Sequence, residues 1–385
     1  MAEGIASPVD ERPAWIDQAL DASFRARLGR RLQRRSLAPH ERARTAAFDA
    51  LLHLNAAPAA CGFGWLATAR DDVIAAAVRH PVHAFGAVGL AAGLPALHRL
   101  ACEAIFAEPS LLPLVGEIAF ETPRASQGGT WTARLLDPPD DTAPRPRDAT
   151  RARAAALAAA RATEFVVLHQ CQHLFGAHFE RLADEGAPGS LVTTPRVRPA
   201  ARAARQRGLE LHADAFAMTA LAQLLARGHS LTCSAAEFDA AGVEPERLLA
   251  LAVLVALVLE AEGAAHVAEG AELDHPSPVL RLVAMVELAS ATVAATAPDS
   301  AERLRVGAKA AREDLREISL AMRPRHPFVA AIFTPDDEQE STAKRVLDAL
   351  RHEAPALGWR HELVVPDPSG VQLESNASTS RIPAP

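Results

Sequence analysis

Apolar residues return at every fourth position from Ile16 through Leu20, Phe24, Leu28 and Leu32. That spacing predicts an amphipathic helix. Arg25, Arg27, Arg30, Arg31, Arg34 and Arg35 surround the stripe. No aromatic residues interleave them, so they read as a solvated face rather than a nucleic-acid patch. Further helices are expected through about Phe106. Val115 to Thr122 and Thr130 to Leu136 read as two strands joined by a turn at residues 124–129, the one hairpin expected. Asp137 to Asp148 reads as an exposed linker rich in Pro and Asp. Helical patterning then resumes from Thr150 to about Glu185, and again from about Pro199 to Arg227 and Glu244 to Glu262. Two more helices open at Ser277-Pro278 and near Asp299-Ser300. Phe328 to Phe333 reads as a short strand, followed by a helix to Leu357 and a disordered polar tail.

The expected fold is therefore mainly α with a small β-hairpin or sheet. Its divisions are a helical region at 1–110, the hairpin and linker at 111–148 and a helical core at 149–325. A small strand and helix region at 326–365 and the tail at 366–385 complete the chain. Composition agrees: hydrophobic residues make up 49% of the chain but aromatics only 4%, and tyrosine is absent. The formal net charge of −7 argues against nucleic acid as a partner. Cys61, Cys102, Cys171 and Cys233 are scattered and form no CxxC pair, which points to reduced thiols. No signal peptide is expected, because no basic segment followed by an apolar one opens the chain. The apolar run Leu248 to Leu259 is too short to span a bilayer. A cytoplasmic protein without a membrane span is the expectation.

The candidate chemistry lies in His169-Gln170-Cys171-Gln172-His173. Residues four apart on a helix differ by about 40° in direction, so two imidazoles at that spacing can grip one metal ion. HExxH, the zinc-protease helix signature, puts a glutamate general base after the first histidine, and here that position is Gln170. A third ligand is needed, and Glu210 is the best candidate. Asp214 lies four residues on, where it could accept a hydrogen bond from a ligating imidazole. His178 competes for the third position but points away unless the helix ends at Gly176. Residues 177–183 continue the helical pattern, with Phe179 where the metzincin pattern places histidine. His212 is expected near the site or facing solvent, not as a ligand. His275, before Pro276, and Arg281 could supply positive charge or hydrogen bonds to a developing oxyanion. The bland alternative is a helical scaffold with satisfied histidines, since a chain with 15 histidines produces chance HxxxH pairs.

Taken in order, these segments resemble the gluzincin metallopeptidases. The likeness is to the branch holding CAAX prenyl proteases and HtpX-type heat-shock peptidases, in which HExxH is followed by ExxAD and an HPxxxxR-like segment. Lit-type phage-exclusion peptidases carry similar motifs. The resemblance covers about Thr150 to Arg323. It implies a zincin-like core in which His169, His173 and Glu210 bind Zn2+ and Asp214 supports a zinc histidine. His275 and Arg281 would serve substrate or transition state, and the hairpin would belong to a sheet whose edge holds a peptide. The implied activity is hydrolysis of a soluble protein or peptide substrate by metal-activated water. Gln170 departs from the pattern: a carboxamide holds water but does not accept its proton. It reads as the inactivated form of an active enzyme, or as a natural pseudoprotease that binds peptides or partners.

Overall fold

A computed structural model describes residues 30–31, 39–55, 60–67, 75–79, 85–121, 145–176, 178–179, 190–192, 200–228, 231, 242–265 and 278–322. Among them are seven α-helices: α1 (Pro39–Asn55), α2 (Gly93–Ala107), α3 (Ala149–Phe175), α4 (Ala200–Ala226), α5 (Pro245–Ala265), α6 (Pro278–Ala294) and α7 (Pro298–Met322). Five strands, β1 (Arg30–Arg31), β2 (Ala60–Ala67), β3 (Ala75–Arg79), β4 (Phe85–Ala91) and β5 (Ser190–Val192), form one sheet in the order β1-β2-β4-β3-β5. β2 and β4 run parallel, and the other pairs are antiparallel. The protein is mainly helical, with one small sheet.

Helix α3 is the axis of the fold, packed by α2, α4, α5 and the sheet. Alanine-rich sequence favours it locally. The Asp148 side chain caps it, accepting from the backbone N–H of Thr150 and Arg151 at 3.0 and 2.9 Å. Glu121 holds the turn before it, accepting from the backbone N–H of Arg147 and Asp148. The middle of α5 is apolar on every side: Leu248 to Leu259 are all buried, as a segment enclosed on every face requires. No helix among the described residues is long and apolar enough to cross a membrane.

Four expectations from sequence need correction. The region expected to be helical through Phe106 contains β2, β3 and β4. Their sequences are rich in Gly and Ala, and Cys61, Phe63, Trp65 and Leu66 are all buried, so no polar alternation marks them. Arg30 and Arg31, placed on the first amphipathic helix, are instead a short strand paired with β2; the rest of that stripe lies outside the described residues.

Of the strand expected at Val115 to Thr122, the described part, Val115 to Glu121, forms turns and a 3₁₀ turn at Ile118–Phe120. Arg151, which is fully buried, holds the turns that lead into this segment, donating to the carbonyls of Phe106, Glu108, Leu111, Leu112 and Val115. Those carbonyls converge on one guanidinium, which fixes the chain in turns up to Val115. Gly116 (φ 62°) has a left-handed backbone, and a Cβ there would lie 2.1 Å from Asp148 Oδ1. Thr130 to Leu136 lies outside the described residues.

Finally, α3 stops at Phe175 rather than near Glu185, with Gly176 as its C-cap. The other helices open near the positions read from sequence. The expected strand at Phe328 to Phe333, its following helix and the tail fall outside the described residues.

Candidate metal centre

His169 and His173 occupy adjacent turns of one face of α3, and Glu210 and Asp214 do the same on α4. The two helices pack against each other, with Ala213 and Ala217 fully buried. Small side chains on α4 permit that approach. Four polar side chains therefore meet in the interior: His169, His173 and Glu210 are only 2%, 1% and 3% exposed, and Asp214 is fully buried.

Three atoms form the heart of the cluster. His169 Nε2 and His173 Nε2 are 3.1 Å apart. Glu210 Oε2 lies 3.0 Å from the first and 3.3 Å from the second. Nitrogen or oxygen ligands held about 2.0–2.1 Å from a tetrahedral zinc are about 3.3–3.4 Å from one another. The observed triangle has nearly that size, so these three residues could hold a metal ion. The donor set of two imidazoles and one carboxylate also suits zinc.

The opposite nitrogen of each ring is held. His169 Nδ1 donates to Asp214 Oδ1 at 2.8 Å. That contact orients the ring and leaves Nε2 facing Glu210 and His173. His173 Nδ1 meets His178 Nδ1 at 2.7 Å. His178 Nε2 in turn meets His212 Nδ1 at 2.8 Å, and Gln172 Nε2 stands 3.4 Å from His212 Nε2.

Electrostatics follow from burial and partners. Burial alone would lower His169, but hydrogen bonds and charge from Asp214 and Glu210 outweigh it and push the metal-free ring up to about 10. His173 is lowered, because burial outweighs the attraction of Glu210. His178 is lowered well below the ordinary histidine range by burial and by His173 and His212. Burial would raise Asp214, yet the Arg281 charge and the His169 hydrogen bond hold it below the usual carboxylate range.

The residues singled out from sequence are placed as follows. His169, His173, Glu210 and Asp214 come together. Arg281 comes too, but not where substrate would need it. Its guanidinium grips Asp214 in a bidentate pair at 2.7 and 2.9 Å and reaches Glu260 at 2.9 Å. It is 2% exposed, which puts it behind Asp214 as an anchor. His275 lies outside the described residues. Gln170 is buried, and its Oε1 has no hydrogen-bond partner among the described residues. Cys171 is fully buried, and burial pushes its thiol far up, so it is inert.

Sequence reasoning set His178 aside because the helical pattern ran on past it. The helix stop at Gly176 redirects the chain, and Phe179 packs against Ala77 of β3 and Leu209 of α4. His178 is thereby turned back towards His173. Gly176 is the signal that could have found it. A Cβ there would sit 2.8 Å from Gln172 Nε2 and 2.9 Å from His178 Nε2. No family model, curated protein or solved structure matches the chain.

Proposed function

We propose that this protein is a zinc-binding protein of metallopeptidase type whose turnover is held down by Gln170. The observation that carries the reading is the buried triangle of two Nε2 atoms and one carboxylate oxygen, backed by Asp214 on His169. Paired imidazoles and a carboxylate at this size, with a carboxylate orienting the first ring, fit a metal better than a merely satisfied histidine pair. Two nitrogens 3.1 Å apart repel through their lone pairs unless a proton or a cation lies between them.

Zinc bound at His169, His173 and Glu210 would supply Lewis acidity towards a water and a peptide carbonyl. The remaining tasks fall to the chain. Asp214 fixes the His169 ring and its tautomer, and Arg281 fixes Asp214. Gln170 can accept a hydrogen bond from water through its unpartnered Oε1 but takes no proton at neutral pH. Loss of a general base lowers turnover typically ~10²–10⁴-fold. The substrate class is a protein or peptide.

A second reading is a natural pseudoprotease, a zinc-containing module that binds peptides or partners. The near-complete burial of all three ligands favours it over turnover, because a scissile peptide bond has little room to reach the metal. Metal analysis of the purified protein tests the shared premise. About one equivalent of zinc, lost in His169→Ala, is expected; less than about half an equivalent, unchanged by that substitution, would leave only a structural cluster. Gln170→Glu then separates the two readings. Peptide cleavage that rises by at least about a hundredfold supports the peptidase. Zinc bound normally with cleavage still absent supports the binding module.

A further inference from the structure

Asp214 serves two partners with one atom. Its Oδ1 accepts from His169 Nδ1 at 2.8 Å and from Arg281 Nη2 at 2.9 Å, while its Oδ2 accepts from Arg281 Nε at 2.7 Å. The guanidinium therefore holds the carboxylate in place and also competes with the imidazole for its charge. A carboxylate whose charge is taken up by a cation is a weaker acceptor. An imidazole oriented by a weaker acceptor is less basic and a poorer metal ligand. Left alone with Asp214, Arg281 would fix the His169 ring but blunt what Asp214 does for it.

Glu260 resolves that conflict. It stands on α5 as the first charged residue after the buried apolar run Leu248 to Leu259. Its side chain is only 15% exposed, and its Oε2 accepts from Arg281 Nη1 at 2.9 Å. Asp214 uses Nε and Nη2 of the same guanidinium, so the two carboxylates take different edges of it. The planar fork is thereby gripped from two helices and has no freedom to swing away from Asp214. One positive charge is shared between two carboxylates, so neither is neutralised in full. The contacts form a single line from Glu260 through Arg281 and Asp214 to His169, and each link is a charge-assisted hydrogen bond.

We propose that Glu260 is a positioning residue for His169, acting through Arg281 and Asp214. It fixes the guanidinium and offsets its charge, so that Asp214 remains a full acceptor for the His169 Nδ1–H and His169 Nε2 remains a strong metal ligand. The consequence for zinc rests on the metal reading above and deepens it; the link from Glu260 to His169 is readable without metal.

The test uses the full chain labelled with ¹⁵N-histidine, with zinc and a competing chelator. Glu260→Gln removes the charge and keeps an oxygen for Arg281 Nη1. It is expected to weaken zinc binding about tenfold. It is also expected to move the His169 Nδ1–H proton resonance, assigned from long-range ¹H–¹⁵N spectra, upfield as the bond to Asp214 weakens. A role in packing alone leaves that resonance in place. Arg281→Met supplies the second comparison. Adding Glu260→Gln to it is expected to change zinc affinity by less than about threefold, because the line is already broken. An equal loss with and without Arg281 would show that Glu260 acts by another route, and the proposal is then wrong. It is equally wrong if Glu260→Gln binds zinc within about twofold of the unaltered protein, or leaves the His169 resonance unmoved. Failure of the metal reading looks different: the unaltered protein then holds no zinc. In that case the His169 resonance of the metal-free protein, compared with that of Glu260→Gln, decides the link from Glu260 to His169 by itself.

Discussion

Gly176 lacks a side chain because two residues of the site close over it. An added Cβ would lie 2.8 Å from Gln172 Nε2, 2.9 Å from His178 Nε2 and 3.0 Å from the Gln172 carbonyl oxygen. The last of these atoms is backbone and cannot swing aside. Its backbone φ of −88° is ordinary, so space rather than conformational freedom demands glycine. Gly176→Ala is therefore expected to destabilise by about 1–3 kcal/mol through overpacking. It should also weaken zinc binding, because His178, 2.7 Å from His173 Nδ1, must move. Urea unfolding and chelator competition on the same variant check both effects; a variant as stable as its parent contradicts the close approach. Gly86 plays a related part on the sheet side, where a Cβ would meet the Leu174 side chain at 3.0 Å and that side chain would have to give way.

At the scale of elements, Arg281 joins three helices around the site. It stands in the first turn of α6 and binds Asp214 on α4 and Glu260 on α5. Removing one partner from a buried ion pair leaves the other charge uncompensated, at about 3–5 kcal/mol. Arg281→Met is expected to lose about that much in chemical denaturation and to release Asp214 from its fixed place on His169. Zinc affinity should fall with it; stability within about 1 kcal/mol of the parent would show that the clamp is not formed. Helices were legible in the sequence where capping and period agreed, as at Ser277-Pro278, where α6 begins. The pair of imidazoles and the two carboxylates were legible because the spacing of four is a property of the helix itself. Strands β2 and β4 were not, since their Gly- and Ala-rich sequences are buried on both faces and show no period of two. The role of Arg151 was hidden as well: no local pattern announces that a guanidinium will gather carbonyls from a segment about forty residues earlier. His178 was misplaced for the opposite reason, since a continuing apolar pattern outweighed one glycine.

At the scale of the whole molecule, folding encloses several titratable groups, and His98 reports this most simply because it stands apart from the metal centre. It lies on α2, 1% exposed, with Nδ1 2.9 Å from Thr163 Oγ1 on α3. The Thr163 hydroxyl donates to the Ala159 carbonyl at 3.0 Å, so the His98 ring must donate from Nδ1. Further protonation would fall on Nε2 in the interior, and burial lowers the group from 6.5 to about 3. The unfolded chain therefore binds a proton between those values that the folded chain refuses. Stability from this group is complete above pH 6.5 and is lost as pH falls towards 3, with a limiting slope of about 1.4 kcal/mol per pH unit. His173 and His178 act in the same direction, and His169 acts against them. The comparison that isolates His98 is with His98→Asn, which keeps a donor near Nδ1 and does not titrate. Asparagine should cost some stability at pH 7.5 through lost packing, yet the gap between the two proteins should narrow steadily below pH 6.5. Equilibrium unfolding from pH 7.5 to 4.5 measures that gap, and a constant difference over the range would mean that His98 takes up its proton in the folded protein.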